Sequence, residues 1–137
     1  MEPLSRAGIV EFFERSGLRL TPQRFAVMNY LVHHPVHATA DQIFEAINRA
    51  DPRASRATVY NSLRALLAKG MVREIALEGR AGRYDANLGR HHHFVCEGCG
   101  RVEDIEWFDV PRLGRALAPR SVRDYELLSR GLCARCK

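Results

Sequence analysis

The sequence predicts an α+β chain in two parts. A helix-rich first part closes with a short β ribbon, the element order of a winged helix, and a small α/β part follows. Three observations predict this. Thr21, Thr39 and Ser55 each stand where a helix would begin, and Gly70 follows the last of these helices. Two short β-patterned runs then flank a Gly-rich turn. All four cysteines fall in the last third, as two C-x-x-C pairs. At ~100–200 residues per domain, 137 residues allow one domain or two small ones.

The elements follow in order. Residues 5–15 form a first helix with Ile9, Phe12 and Phe13 on its apolar side, and Gly17 ends it. Thr21-Pro22 starts a second helix, Thr as N-cap and Pro at the first helical position. It runs from Gln23 to about His33 with Phe25, Val27, Met28, Leu31 and Val32 inward, and Pro35 stops it. Thr39 caps a third helix, Ala40 to Arg49, with Ile43, Phe44 and Ile47 inward; Asp51-Pro52 breaks the chain. Ser55 caps a fourth, Arg56 to Lys69. Strands over 71–77 and 83–84 are joined by a turn over 78–82 with Arg80 at its tip, and residues 85–91 connect the two parts. The remainder reads as strand (92–95), first cysteine pair, strand (102–107), helix (110–117), strand (121–128), second cysteine pair.

Apolar residues make up 46% and charged residues 27%, the balance of a soluble globular chain rather than a disordered one. No apolar run reaches the ~18–20 residues of a membrane span. Met1-Glu2-Pro3-Leu4-Ser5-Arg6 has no charged-then-apolar leader pattern, so a cytoplasmic protein without a membrane partner is expected. The net charge is +5, and its distribution is uneven. Residues 1–90 hold 13 basic and 9 acidic side chains, whereas 91–137 hold 8 and 7. A basic first part suits a polyanionic partner; a plain bias towards Arg accounts for the charge equally well.

Cys96-x-x-Cys99 and Cys133-x-x-Cys136 are separated by 33 residues. A reducing compartment disfavours structural disulfides, so two such pairs read as a tetrathiolate zinc site. Unrelated thiols or two redox pairs are the other reading. The fourth helix has two faces. Val59, Leu63, Leu66 and Leu67 form the apolar one; Arg56, Tyr60, Asn61 and Arg64 project elsewhere. The segment 53–73 holds five bases and no acid. Arg and Asn can pair bidentately with guanine and adenine edges, and the hydroxyls of Thr58 and Tyr60 suit phosphate or base contacts. A solvated helix face is the plainer reading of such a charge run. The capped helix before it and the ribbon with Arg80 after it favour a groove-reading helix and a backbone-touching wing.

His91-His92-His93 follows the basic part. On a strand, His91 and His93 share a face, about 6–7 Å apart along the chain, and His92 takes the other. With Asp85, Asp104 and His37 they make an imidazole and carboxylate set suited to iron(II), manganese(II) or zinc rather than a thiophilic ion. A surface histidine run is the competing reading. His33, His34 and His92 are expected to be structural or solvent-facing.

Together these residues resemble the ferric-uptake-regulator (Fur) family of metal-dependent repressors, from about Leu18 to Cys136. Four segments carry the resemblance: Leu18-Arg19-x-Thr21-Pro22-Gln23-Arg24, Ser55-x-Ala57-Thr58-Val59-Tyr60-x-x-Leu63, His91-x-His93-x-x-Cys96-x-x-Cys99-Gly100, and Cys133-x-x-Cys136. The sequence is most similar to the peroxide-responsive branch. Asp stands at 85 and 104 where iron-uptake regulators usually have Glu. Asn61 follows Tyr60, and Tyr125 stands where a further His is frequent in iron-uptake regulators. Ser129-Arg130-Gly131 departs from the family in lacking an aromatic before Gly.

The resemblance implies a winged-helix DNA-binding domain over 1–84, a hinge over 85–91, and a dimerisation and zinc-binding domain over 92–137. It implies structural zinc on the four cysteines and regulatory iron(II) or manganese(II) on His37, Asp85, His91, His93 and Asp104. It further implies a homodimer on double-stranded operator DNA, with no small-molecule substrate beyond metal and peroxide, and iron(II)-catalysed oxidation of His37 or His91 as the sensing step. An iron- or manganese-responsive uptake regulator that ignores peroxide shares every site; a zinc-responsive regulator is a further, less favoured alternative. A zinc-stabilised interaction module would bind DNA without the second metal. A nucleic-acid metallohydrolase would need a general base such as Glu103 or Glu106. The H-x-E…P-C-x-x-C, H-E-x-x-H and Walker patterns are absent, so no enzyme is expected.

Overall fold

The computed structural model describes residues 4–34 and 37–137. Met1–Pro3, part of the leader reading, and Pro35, read as a helix stop, lie outside the described residues. The chain divides into two compact units, Met1–Leu88 and Gly89–Lys137. The α+β expectation holds.

The first unit opens with α1 (Arg6–Ser16), α2 (Pro22–His33), α3 (Ala40–Ala50) and α4 (Arg56–Ala68). Local chemistry sets each start. The side chains of Ser5, Thr21, Thr39 and Ser55 accept the N–H groups of Gly8, Arg24, Gln42 and Thr58. At α3 the Gln42 side chain also bonds back to the Thr39 N–H, closing a capping box. Gly17 ends α1 at φ 71°, a left-handed turn that glycine adopts without a Cβ penalty.

Ile9, Phe13, Val27, Met28, Leu31, Ile43, Val59, Leu63, Leu66, Met71 and Val72 are buried in one core. The apolar stripe expected on α4 is therefore its inward face, with Leu67 only partly buried. β1 (Arg73–Ile75) pairs antiparallel with β2 (Arg83–Asp85). β1 is shorter than the run expected over 71–77, because its flanks Met71, Val72 and Leu77 bury their side chains without joining the ladder. Four helices followed by this ribbon reproduce the expected element order.

The second unit is a three-stranded sheet in the order β4-β3-β5, with β3 (His91–Cys96) at the centre. β4 (Val102–Glu106) runs antiparallel to β3, and β5 (Leu128–Gly131) runs parallel to it. Two expectations need correction here. The last strand, expected over 121–128, begins at Leu128; the parallel register His93↔Leu128 to Cys96↔Gly131 selects it, not local alternation. The helix expected over 110–117 shrinks to α5 (Leu113–Leu117), because Arg112 takes a left-handed conformation (φ 63°) with no side-chain cap. Asp85 and His91, placed in the connector by sequence, are strand residues.

Candidate metal centres and nucleic-acid interface

β3 ends in Cys96, and the turn after it carries Cys99. Cys133 and Cys136 follow β5, the parallel neighbour of β3. The parallel ladder thus brings the two pairs to one end of the sheet. All four Sγ atoms lie within 4.8 Å of one another, and Cys99 Sγ is 3.9 Å from Cys133 Sγ. Four sulfurs at ~2.3 Å from one zinc ion would be about 3.8 Å apart, so the thiols fit that ion. The N–H groups of Cys133 and Cys99 donate to Cys96 Sγ at 3.3 and 3.4 Å. These donors pull the Cys96 thiol from 9.0 down to about 6, favouring the thiolate a metal requires. Hydrogen bonding to the other thiols pushes Cys136 up to about 12. Gly98 is needed for close approach: a Cβ there would stand 3.0 Å from both Cys136 Cβ and Sγ.

The histidine run lies on the same strand, and all three rings are buried. Asp104 on β4 stands directly opposite His93 in the ladder, so it shares the face of His93 and His91. His91 Nε2 and His93 Nε2 are 3.0 Å apart, and Asp104 Oδ1 is 3.3 and 3.5 Å from them. Ligand atoms in adjacent positions ~2.1 Å from a common ion sit about 3 Å apart, so these three atoms are spaced for one divalent ion. His91 Nδ1 meets the Gly89 carbonyl at 2.7 Å, which leaves Nε2 as the lone-pair nitrogen. His93 Nδ1 faces Glu126, 3.8 Å away, a carboxylate that sequence reading did not single out.

His92 points the other way, as expected, and is structural rather than solvent-facing. Nδ1 accepts the Leu127 N–H at 2.9 Å, and Nε2 meets Phe108 O at 2.8 Å. Its ring stacks 4.4 Å from Trp107, over which the Arg90 guanidinium lies at 3.9 Å. Tyr125 joins this cluster 5.0 Å from Trp107, and its hydroxyl accepts the Val110 N–H. Glu103, named as a possible base, pairs with Arg101 at 3.3 Å.

In the first unit, His37 and Asp85 are both buried, with Nδ1 3.6 Å from Oδ2. The bridge between Ala38 and Tyr84 draws them together, each being a sequence neighbour of a bridged residue. Arg83 donates to the His37 carbonyl at 3.1 Å. His37 sits at φ 52°, a strained conformation for a non-glycine residue and one that concentrates at functional sites. The Asn87 N–H donates to Asp85 Oδ1 at 2.8 Å, orienting the carboxylate.

The residues expected to read DNA divide into two groups. Asn61 and Arg64 are exposed on α4, and Arg80 is exposed on the β1–β2 connection. Arg56 and Tyr60 instead converge on Asp41 of α3, at 2.5 and 3.1 Å. That hydrogen bond raises the Tyr60 phenol above its ordinary pKa. The Thr58 hydroxyl lies 2.7 Å from Ser55 Oγ, within the helix cap. Among the described residues, no helix is long and apolar enough to cross a membrane.

Residues 15–124 match the model of the ferric uptake regulator family. The chain is 33% identical over 126 residues to the peroxide-responsive repressor PerR of Staphylococcus aureus, covering 90% of this chain and 85% of that one. Among solved structures, the ferric uptake regulator Fur of Helicobacter pylori superposes with a TM-score of 0.78 at 20% identity, over 99% of this chain and 96% of that one. A zinc uptake regulator complexed with zinc and DNA superposes at 0.68 with 26% identity, over 96% and 91% of the two chains.

Proposed function

Because the chain belongs to the ferric uptake regulator family, we propose that it is a metal-dependent, DNA-binding transcriptional repressor that senses peroxide. The observation that carries this reading is the convergence of His91 Nε2, His93 Nε2 and Asp104 Oδ1 within 3.5 Å on a sheet whose end separately gathers four thiols. One ligand set suits a permanent zinc; the other suits an exchangeable divalent ion.

Residues 1–84 act as the winged-helix DNA-binding domain, 85–91 as the hinge, and 92–137 as the dimerisation domain. His37 and Asp85 supply the remaining ligands of the regulatory ion. Shared ligation across the hinge biases the chain towards the DNA-competent form by differential affinity. In a homodimer, two α4 helices enter successive major grooves of a two-fold operator through Arg56, Thr58, Tyr60, Asn61 and Arg64, while Arg80 touches backbone. The similarity to a zinc uptake regulator solved with DNA supports that mode, and the similarity to a peroxide-responsive repressor supports the signal. Iron(II), when bound, supplies the electron that reduces peroxide; manganese(II) does not. His37 and His91 are the imidazoles that would be oxidised: the peroxide O–O bond breaks, one oxygen replaces a ring C–H hydrogen and the other leaves as water. The ring thus supplies the net two electrons with iron as mediator, and the oxidised ring would hold metal less well and let the domain leave DNA.

The test loads purified chain with iron(II) or manganese(II), measures binding to an operator selected from a random-sequence pool, adds peroxide, and weighs peptides. The reading requires one chelator-resistant zinc per chain, a second exchangeable ion that His37→Ala abolishes, and oxygen addition at His37 or His91 with iron alone. Metal-dependent DNA binding that survives peroxide would replace sensing by plain metal-responsive uptake regulation.

A further inference from the structure

α4 offers four polar side chains outward, Arg56, Tyr60, Asn61 and Arg64, and two of them are already engaged. The Arg56 guanidinium lies 2.5 Å from Asp41 Oδ1, and the Tyr60 hydroxyl donates to the same oxygen at 3.1 Å. The Phe44 ring backs the guanidinium, 4.7 Å from its centroid. Asp41 and Phe44 sit about one turn apart on α3, whose first turn the Thr39–Gln42 capping box fixes. A carboxylate and a phosphate offer a guanidinium the same pair of acceptor oxygens.

We propose that Asp41 is an internal competitor for the DNA backbone: its carboxylate holds Arg56 and Tyr60 in the DNA-free protein, and a phosphate must displace it before either can reach the duplex. The inference rests on the DNA-reading role proposed for α4. Three features suit a competitor. The pair is open to solvent, with the Arg56 and Asp41 side chains 57% and 60% exposed, so an incoming anion can reach it. Exposed pairs of this kind are weak, so exchange is feasible. Asp41 lies in the first turn of α3, where the positive end of the helix dipole still favours a carboxylate once the arginine has left.

The exchange has a counterion signature. Moving Arg56 from Asp41 to a phosphate releases a cation from the DNA, while salt screens the Asp41–Arg56 pair and lowers the cost of breaking it, which partly offsets the loss of affinity as salt rises. Replacing Asp41 by a neutral residue removes that offset. The log–log dependence of affinity on salt then steepens, by less than the ~0.9 that a full phosphate contact contributes.

The experiment measures binding of manganese-loaded full-length protein to a mixed-sequence duplex between about 50 and 200 mM salt. It compares the native chain, Asp41→Asn, Arg56→Ala and the double variant, with Asp41→Ser as a second neutral replacement should Asn disturb folding. The neutral variants are expected to bind more tightly at low salt, by about two- to thirtyfold per dimer as two exposed ion pairs allow, with an advantage that shrinks as salt rises across that range. In the Arg56→Ala background the Asp41 change leaves the slope alone. An unchanged slope or weaker binding in both neutral variants would overturn the proposal and make Asp41 a brace that positions Arg56. If the native chain binds no duplex with metal loaded, the DNA-reading role of α4 fails first, and this inference with it.

Discussion

The Leu127 N–H donates to Nδ1 of the buried His92 at 2.9 Å, pinning the segment before β5 onto the central strand. On the opposite ring nitrogen, His92 ties down Phe108 O beyond the end of β4. One imidazole therefore closes both sides of the sheet. His92→Leu strands an N–H and a carbonyl and loses the Trp107 stack, so it should cost the second unit about 2–5 kcal/mol. Trp107 is the only tryptophan, and its fluorescence during urea unfolding reads that unit directly.

The four thiols should hold that unit together. Cys133→Ser removes a buried thiol of a residue whose N–H bonds Cys96 Sγ. Structural zinc sites contribute as much as ~10–16 kcal/mol in isolated finger peptides, so the variant should lose its chelator-resistant zinc and the cooperative Trp107 transition. Zinc content by mass spectrometry, taken with the melting curve, checks both.

The two faces of α4 should separate in their effects. Leu66 is fully buried, and Leu66→Ala should destabilise the first unit by about 2–5 kcal/mol. Arg64 is exposed, so Arg64→Ala should alter stability by no more than about 0.5 kcal/mol. It should nonetheless weaken DNA binding and, if Arg64 meets a phosphate, reduce the salt slope by about 1. Helical circular dichroism in urea and a binding titration against salt give the two readings.

Thr39→Ala removes the Oγ1 that accepts the Gln42 N–H and leaves only the reciprocal bond of the α3 capping box, from the Thr39 N–H to the Gln42 side chain. The expected loss is about 1 kcal/mol in denaturant unfolding of the first unit. Gln42→Ala, which spares the Thr39 Oγ1 bond, should cost less.

Helix starts were legible because capping is local: Thr21, Thr39 and Ser55 bond the third residue along, a relation the sequence displays. The cysteine pairs and the shared face of His91 and His93 were legible for the same reason, one from spacing and one from the strand period. What escaped depends on distance in the chain. β5 is defined by its parallel partner 35 residues away, so alternation over 121–128 misplaced it. Arg112 gives no sequence sign of its left-handed turn. The hold of Asp41 on Arg56 and Tyr60 joins residues 15 and 19 apart, and the Asp looked like an ordinary first-turn acid. Glu126 reached His93 only through the β3–β5 pairing.

β3 also works as a keyed shaft. A slip of one residue against its neighbours would exchange the two sides, sending His92 to the place of its flanking histidines and turning both of those towards the Trp107 stack. Cys96 sits on that same shaft, five residues from His91, and its sulfur gathers with three others drawn from elsewhere in the chain. A zinc ion on those thiols would leave the strand one phase, and the imidazoles of His91 and His93 would keep their aim through metal loading and release.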